Sequence, residues 1–465
     1  MAGEKIFIGP KLRELRQQRA LTQAQLAKEL QVSASYVNLV EHNQRSASLK
    51  FLLSLSDKFG LDWREIANMD NANLLADLRR MASDPAFGEQ KPDIEELRAA
   101  LNNSPNLVSG ILNIFETYKT FGERLAEFSE AEAGRDSTLS IEQGVHDFFR
   151  NNNNYFPALE EQAEQSYVQK ISDRHEMYGT LRAHLKNKLD VDLVHIKNEV
   201  MGRSLCRYDK ESKCIQISDA LDHTNKVFQL AHQVAQIQFS ELLDAQLPDI
   251  LRENPVAAQR CKTELANYFA ATLLMPYDAF HQEALNSRYD IDMLSTRFSV
   301  SYEQVCHRLT TLQRPGKRGI PFFFLRIDRG GNVSKRFNAT PIQLARFGGA
   351  CPRLDVHYCF RVPGRILTQI VEMPDHSRYL TINRTVDRPA VRYSTVDKRL
   401  AVSVGCPVEY AKETIYGLDI DPNSQRMITP IGVNCRQCPR KGCEQRAHAP
   451  FHADLKLSNP ESVGK

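Results

Sequence analysis

The sequence predicts a multidomain protein: an all-α domain at the N-terminus, a helical connector, and two α+β domains, the last with a cysteine-rich end. Its 465 residues exceed what a single hydrophobic core usually serves. Apolar residues recur at helical spacing over residues 10–62, and helical residues continue through 70–165. Strand-like runs follow, among them VDLVHI, KCIQI, PFFFLRI, RILTQIVEM and RYLTINRTV. We place the domains at residues 1–68, 69–165, 166–318 and 319–465.

Composition favours a globular protein that works in the cytoplasm. The apolar fraction is 42% and the charged fraction 25%, and no run approaches the ~18 apolar residues of a membrane span. The N-terminal residues MAGEKIFIGPKLRE lack an apolar core preceded by basic residues, so no secretory signal is expected. Net charge is only +3, but residues 10–50 carry seven basic and three acidic side chains. That local balance of +4 suits a phosphate backbone.

The first domain is predicted to contain five short helices, two of which form a helix-turn-helix. Pro10 suits a first helical position, and Thr22 followed by Gln25 has the capping-box pattern. Ser33 caps the next helix after a turn at residues 31–32. The apolar residues that recur at helical spacing, and are expected to point inward from these helices, are Leu12, Leu15, Leu26, Ala27, Leu30, Val37 and Val40.

In a helix-turn-helix, the second helix of the motif enters the major groove and the first crosses the DNA backbone. The exposed start of the recognition helix offers hydroxyls, an amide and a methyl group to base edges, from Ser33, Ala34, Ser35, Tyr36 and Asn38. Gln23, Asn43 and Arg45 are placed to reach phosphates. We therefore predict binding to a double-stranded DNA operator. The alternative is a helical bundle whose polar faces are merely solvated.

The string TQAQLAKELQVSASYVNLVEHNQR resembles the Xre/Cro-repressor class of DNA-binding domains. Members of that class bind DNA mostly as dimers at paired half-sites. The resemblance therefore implies a homodimer.

The predicted helix VFQLAHQVAQIQF is similar to the HExxH helix of metallopeptidases but lacks one of its zinc ligands and its general base. In HExxH, two histidines one turn apart bind zinc and the glutamate is the general base. Here those positions hold His232, Gln233 and Gln236. The later segment ELANYFAATLLMP resembles the second signature of ImmA/IrrE-type domains, but its carboxylate position is Leu265, with Glu264 displaced by one. We predict a degenerate peptidase-like domain that is not an enzyme. The alternative is a zinc peptidase that acts on a partner repressor.

Three cysteines near the C-terminus, Cys435, Cys438 and Cys443, are spaced C-x2-C-x4-C. Thiols so close together can converge on one metal centre, and the basic residues among them favour thiolate. Zinc could take His448 as its fourth ligand. An iron–sulfur cluster could take a distant cysteine, with Cys406 and Cys351 as candidates. Spacing alone leaves both metals open.

Taken together, the segments resemble the short-chain fatty acyl transcriptional regulators, which include actinobacterial regulators of propionate, methylcitrate and glyoxylate metabolism. The likeness covers nearly the whole chain, and GACPRLDVHYCFRVPGRILTQIVEMPD and CRQCPRKGCEQRA are its most specific parts. It implies an acyl-CoA effector and a cysteine-bound 4Fe–4S cluster, which favours iron–sulfur over zinc; we assign Cys406 as the fourth ligand. The pair Asp375-His376 stands where this family usually has Asp-Gly, a departure that concerns only the shape of a turn.

These features predict a DNA-binding regulator of short-chain fatty acyl metabolism, controlled by an acyl-CoA and by the cluster. The residues that line the effector site are not identifiable from the sequence. The alternative within the same class is a purely redox-sensing regulator that has no metabolite ligand.

Overall fold

The computed structural model describes residues 9–19, 21–41, 45, 47–48, 51, 54–55, 58, 74–84, 91–104, 107–115, 117–118, 136–166, 176–202, 204–345, 349–387, 399–421, 424 and 427–448. They form two compact units, one within Met1–Glu132, Pro439–Gly442 and His448–Lys465, and one within Ala133–Cys438 and Cys443–Ala447. The second unit takes in the end of the segment predicted as a connector. It also unites the predicted third and fourth domains, because residues from both share one hydrophobic core.

Helices are the regular structure of the first unit in its described residues. Its helices are α1 (Gly9–Gln18), α2 (Gln23–Glu29), α3 (Ala34–Glu41) and α4 (Ile94–Asn103), with further helical residues at 74–83 and 107–115. Of the seven residues predicted to point inward from the first three helices, six are buried in one cluster with Phe51 and Leu55, and Leu15 is partly buried against that cluster. A separate apolar cluster joins α4 to the helical residues at 74–83 and 107–115.

The second unit combines helices with two sheets. Its helices are α5 (Asp136–Asn151), α6 (Pro157–Glu164), α7 (Met177–Leu189), α8 (Asn198–Met201), α9 (His223–Gln238), α10 (Ser240–Ala245), α11 (Asp249–Arg252), α12 (Pro255–Leu274), α13 (Tyr277–Asn286), α14 (Ile291–Phe298) and α15 (Tyr302–Leu309). Helices α9 and α12 pack against each other, and α12 also contacts α5 and α6. None of the described helices has both the length and the apolar character needed to cross a membrane.

The five runs predicted from the sequence all form strands, and the described residues contain four further strands that the sequence pattern did not predict. A three-stranded sheet has the order β1-β3-β2, from β1 (Asp192–Ile196), β2 (Cys206–Asp209) and β3 (Cys214–Ser218). A six-stranded sheet has the order β5-β4-β8-β7-β6-β9. Its strands are β4 (Phe323–Ile327), β5 (Val333–Asn338), β6 (Leu367–Glu372), β7 (Arg378–Val386), β8 (Leu400–Pro407) and β9 (Ile428–Pro430). The central pairs β4-β8, β8-β7 and β7-β6 are antiparallel.

Both faces of the six-stranded sheet are buried. Successive side chains of a strand point to opposite faces, so Phe324 and Leu380 join the core shared with the helices, while Phe323 and Tyr379 join a second cluster that contains Ile431. We call these the helix face and the outer face. Because each face has its own apolar cover, the central strands carry long buried runs in place of polar alternation.

The turn between β6 and β7 contains the Asp375-His376 pair. His376 has a φ of 65°, in the left-handed region where glycine is favoured. The turn is closed by the Met373 N–H, which donates to the Ser377 carbonyl at 2.9 Å. The departure from Asp-Gly therefore leaves the turn intact at a cost of about 1–2 kcal/mol for the left-handed residue.

A fully buried ion pair joins α6 to α15 inside the second unit. The Arg308 guanidinium donates to Glu160 from Nη1 at 2.6 Å and from Nη2 at 3.0 Å, and neither side chain has exposed surface. The Tyr268 hydroxyl donates to the same carboxylate at 2.6 Å, and Arg308 Nε donates to the Met275 carbonyl at 3.0 Å. These bonds give both charged groups hydrogen-bond partners within the protein.

Candidate functional site

The helices of the N-terminal motif are capped as the sequence predicts. The Thr22 hydroxyl accepts the Gln25 N–H at 3.2 Å, and the Gln25 side-chain oxygen accepts the Thr22 N–H at 2.8 Å, which completes the capping box. At the start of α3, the Ser33 hydroxyl accepts the Tyr36 N–H at 3.1 Å. Each of the two caps starts a helix of the motif, α2 after Thr22 and α3 after Ser33, so the helix-turn-helix prediction is confirmed at this level of detail.

A buried carboxylate, Glu41, holds the three helices together. Arg16 on α1 donates to it from Nε at 2.6 Å and from Nη2 at 3.2 Å, and the Glu41 side chain has no exposed surface. The Gln23 amide donates to Glu41 at 2.7 Å and to the Asn38 oxygen at 3.4 Å. Burial acts to raise the pKa of Glu41, but the bonds from Arg16 and Gln23 outweigh it and lower that pKa. Gln23, predicted to reach a phosphate, thus also ties α2 to α3.

The outer surface of α3 presents most of the residues predicted to contact bases. The exposed members of that set are Ser33, Ala34, Ser35 and Asn38. Their small size leaves the backbone at the helix start accessible, where N–H groups and short polar side chains can approach a base edge. Arg45 is exposed after α3, and Asn43 lies outside the described residues.

Tyr36 differs from this set because it is partly buried. Its hydroxyl accepts the Ser48 N–H at 3.0 Å, and its ring packs edge-on against Phe51 with 5.3 Å between centroids. The Arg45 guanidinium lies 5.4 Å from the Tyr36 ring centroid. In place of the fully outward position predicted for it, Tyr36 contacts Ser48 and Phe51, which follow the motif in the chain.

The degenerate peptidase helix is α9, and it places His232 in the interior at 9% exposure. The Gln236 amide nitrogen, in the position of the second histidine, lies 3.5 Å from His232 Nε2. Glu264 on α12 is also buried and lies within electrostatic range of His232. Although Glu264 is displaced by one residue from the expected ligand position, its carboxylate thus belongs to the same buried group.

Two side-chain cations neutralise Glu264. Arg260 Nη1 lies 2.6 Å from Glu264 Oε1, and Lys335 Nζ, from β5, lies 3.1 Å from Oε2. Burial acts to raise the pKa of Glu264, but Lys335 and Arg260 outweigh it and hold that pKa far below its usual range. Lys335 also acts electrostatically on His232 and His307. The Glu264 carboxylate thus has a guanidinium and an ammonium group of this chain as its counter-ions.

On the outer face of the six-stranded sheet, two of the predicted metal-site cysteines lie close to Cys351. Cys351 is buried in the cluster that contains Ile431, and it interacts electrostatically with Cys438 and Cys435. Burial raises the pKa of the Cys351 thiol, and hydrogen bonds from the Gly432 and Arg353 backbone partly offset this. A Cβ on Gly432 would lie 2.6 Å from Cys438 Sγ, so only glycine leaves room for that sulfur.

The loop that carries the cysteines is braced by its own last residues. Arg446 donates to the Cys435 carbonyl at 2.7 Å and to the Cys438 carbonyl at 3.1 Å. The Ala447 N–H donates to Cys435 Sγ at 3.5 Å. Cys443 is half-buried, and His448, the alternative zinc ligand, is exposed. A backbone N–H directed at a sulfur and a cation held beside the loop suit thiolate ligands.

Cys406, which we assigned from the sequence as the fourth ligand, lies on the other side of the sheet. Its side chain is fully buried in the helix-face core, where burial raises the pKa of its thiol and the nearest charges are Glu409 and Glu413. The sheet separates it from the outer-face cysteines, so Cys351 replaces it as the candidate. Among the described residues, no three His, Cys, Asp or Glu side chains already converge as a preformed metal site.

Comparison with known proteins places all three parts of the chain. The model for the C-terminal domain of short-chain fatty acyl coenzyme A regulators matches residues 311–463, that for IrrE N-terminal-like domains residues 186–310, and a helix-turn-helix model residues 12–66. The HTH-type transcriptional regulator RamB of Mycobacterium tuberculosis is 36% identical over 99% of this chain and 98% of its own. The chain belongs to the short-chain fatty acyl-CoA regulator family.

Two further proteins support this membership. The propionyl-CoA carboxylase regulator of Cereibacter sphaeroides is 36% identical over 99% of this chain and 98% of its own length. A solved structure described as a Mycobacterium tuberculosis transcriptional regulator superposes with a TM-score of 0.64 at 34% identity, covering 69% of this chain and 97% of that one. The regulator described here is therefore a DNA-binding transcriptional regulator, as predicted, and its middle segment has the IrrE-like fold.

A second buried histidine near Glu264, His307 on α15, makes the stability of the regulator depend on pH. Burial, reinforced by Lys335, lowers the pKa of His307 to about 3, against about 6.5 in an unfolded chain. Between these values the unfolded chain binds a proton that the folded chain does not, so the free energy of unfolding falls as pH falls, by about 1.4 kcal/mol per pH unit. We expect His307→Phe, which keeps a ring against Phe337, to remove that contribution.

The measurement is urea unfolding followed by circular dichroism between about pH 7 and about pH 5. His223→Phe is the matched control, because His223 is exposed at the start of α9. The control should keep the wild-type slope of unfolding free energy against pH. An unchanged slope in His307→Phe would show that His307 titrates normally in the folded chain.

Proposed function

We propose that this regulator acts in the cytoplasm as a homodimer, and that it binds an operator through the exposed start of α3. The observation that carries the proposal is that the capped helix α3 exposes Ser33, Ala34, Ser35 and Asn38 together in a chain that belongs to a regulator family. Two copies would present two such helices to paired half-sites one helical turn apart. Gel-shift titration on the promoter of its own gene, together with the mass of the complex in solution, tests both parts.

We also propose that a short-chain acyl-CoA is the effector that sets DNA affinity. The support is the match of residues 311–463 to the C-terminal domain of acyl coenzyme A regulators, and the name of the Cereibacter relative, which refers to propionyl-CoA carboxylase. An effector changes affinity only if it binds the DNA-competent and incompetent states unequally. A gel-shift series with acetyl-CoA, propionyl-CoA and free CoA measures this difference, and a series without any change would favour the purely redox-sensing alternative.

For the cofactor, we propose a 4Fe–4S cluster held by Cys351, Cys435, Cys438 and Cys443. The outer-face position of Cys351, its interaction with Cys435 and Cys438, and the space beneath Gly432 favour this set over one that includes Cys406. When bound, a cluster would supply a redox centre that forms only when iron is available and that responds to oxidation. The polypeptide contributes the braced loop, the cation of Arg446 and two buried thiols, those of Cys351 and Cys438.

The cysteine assignment predicts which cysteine variants lose their iron and which keep it. After anaerobic purification we expect about four iron atoms and a matching amount of sulfide per wild-type chain, with most of the iron lost in Cys438→Ser and in Cys351→Ser. Cys406→Ser is the matched control, since that thiol is also buried but on the helix face, and it should keep its iron. Iron retained in Cys351→Ser but lost in Cys406→Ser would restore the sequence-based assignment. Zinc without iron, lost in Cys438→Ser, would replace the cluster with the zinc alternative.

We propose that the IrrE-like part of the regulator does not cleave proteins. A zinc peptidase needs a carboxylate or similar general base beside the metal-bound water, and Gln233 occupies that position here. Lys335 further opposes a divalent cation beside Glu264 through like charge. Incubation of the regulator with zinc and an unstructured protein substrate should release no peptides.

A further inference from the structure

One helical stretch of the first unit, residues 107–115 and 117–118, carries two apolar faces. The inner face is buried in the cluster that includes α4, and its members are Val108, Leu112 and Phe115. The other face lies open to solvent, with side chains that are between 39% and 71% exposed. Its members are Leu107, Ile111, Ile114 and Tyr118. We call these four side chains the outer stripe.

The spacing of the outer stripe is that of a helix that packs along a second helix. Apolar residues separated alternately by four and three positions recur on average every 3.5 residues, the period that keeps one seam in contact between two helices. Residues 119–135 lie outside the described structure, but the sequence keeps the same spacing with Phe121, Leu125 and Phe128. Single exposed apolar residues are ordinary, whereas a row of this regularity indicates a partner helix.

Gly110 lies beside the outer stripe and points to the same conclusion. It is three residues after Leu107 and four before Ile114, so it neighbours both on the helix surface. Glycine weakens a helix interior more than any residue except proline. No atom lies within 4 Å of the position that a Cβ would take, so packing among the described residues does not require glycine here. A backbone that approaches closely from another chain would require it.

The outer stripe also lacks charge. None of the described residues between 107 and 118 is charged at neutral pH. A phosphate backbone or a charged peptide would find no counter-ion on this face, whereas an uncharged apolar face is complementary to it. A twofold dimer brings the same patch of both copies together. The occupant that fits the outer stripe is therefore the outer stripe of a second copy.

We propose that two copies of the regulator associate through the outer stripe, with the four side chains of one copy packed against the same four of the other. This proposal rests on the homodimer proposed above and locates its contact in the first unit, which also contains α3. The dimer contact and the proposed cluster ligands thus belong to different units of the chain.

Ile114→Glu tests the contact, because Ile114 is 71% exposed and is not part of the inner apolar cluster. Association would place two like charges in an apolar contact, so we expect the dissociation constant of the dimer to rise at least 100-fold. Sedimentation equilibrium of the full chain measures this constant. Ser109→Glu is the matched control, since Ser109 is exposed on the opposite side of the same helix, and it should dimerise as the wild type does.

Ile114→Lys provides a second test of self-association. It should dissociate as Ile114→Glu does, but an equimolar mixture of the two variants should dimerise at least tenfold more tightly than either alone. Opposite charges meet in the mixture only if the outer stripe packs against itself. Circular dichroism identifies a variant that fails to fold, and the same pair of substitutions at Leu107, which is 63% exposed, then replaces the pair at Ile114.

The possible results separate this contact from the homodimer itself. A wild-type chain that stays monomeric would overturn both. A dimer that Ile114→Glu and Leu107→Glu leave intact would overturn the contact alone, as would a mixture of Ile114→Glu and Ile114→Lys that fails to dimerise. A monomeric Ile114→Glu variant that binds the operator as tightly as the wild type would support the contact and would remove dimerisation from DNA recognition.

Discussion

Arg308→Met is expected to destabilise the second unit by about 3–5 kcal/mol, the usual cost of leaving one partner of a buried ion pair without its counter-ion. The Glu160 carboxylate has no exposed surface and receives two of its short hydrogen bonds from Arg308. Methionine fills much of the same volume but donates nothing. Urea unfolding followed by far-ultraviolet circular dichroism measures the loss as a lower midpoint.

The double variant Glu160→Leu with Arg308→Met is the control for this prediction. Replacing both charges with apolar groups of similar volume is often neutral or stabilising, so the double variant should recover most of the lost stability. The Tyr268 hydroxyl, which donates to Glu160, limits the recovery because it would lose its acceptor. If the free energy of unfolding of Arg308→Met lies within about 0.5 kcal/mol of the wild-type value, then water reaches the Glu160 carboxylate in the folded protein.

Ser35→Glu is expected to reduce operator affinity about 100-fold. Ser35 is exposed in the first turn of α3, and a good contact to a base edge provides about 1–3 kcal/mol, with each 1.4 kcal/mol equal to a factor of ten. The new carboxylate would add repulsion from phosphates to the lost contact. Gel-shift titration at one fixed salt concentration measures the change.

Ser109→Glu provides the matched control, since it adds the same charge to another exposed helical position of the first unit. Its operator affinity should stay within about threefold of the wild type. If Ser35→Glu and Ser109→Glu weaken binding equally, the effect is one of net charge and α3 is not the element that reads the DNA.

The local features of the first unit could be predicted because they depend on residues close together in the sequence. Thr22 and Gln25 are three positions apart, and helical periodicity is enough to place Val37 and Val40 inside. The Arg16–Glu41 ion pair could not be predicted from the sequence, because its partners are 25 residues apart. In the sequence, Glu41 is one of three acidic residues in a basic segment, and no local pattern indicates that it is buried.

The choice between Cys351 and Cys406 shows a second limit. Alternation along β8 places Val402, Val404 and Cys406 on one face, but both faces of this sheet are buried. Sequence pattern distinguishes an inner face from an outer one only when one of them is polar. The Lys335–Glu264 ion pair could not be predicted for a related reason. Its partners are 71 residues apart, and the sequence pattern does not show that the strand with Lys335 lies near α12.

A counter-ion that belongs to the chain behaves differently from one that is bound. A metal ion leaves when its free concentration falls or when a chelator competes for it, and the stability that it gives falls with it. The Lys335 ammonium is covalently attached beside Glu264, so neither dialysis nor a chelator removes it. The two counter-ions of Glu264, Lys335 and Arg260, are thus present whenever the chain is folded, whatever the concentration of free metal ions.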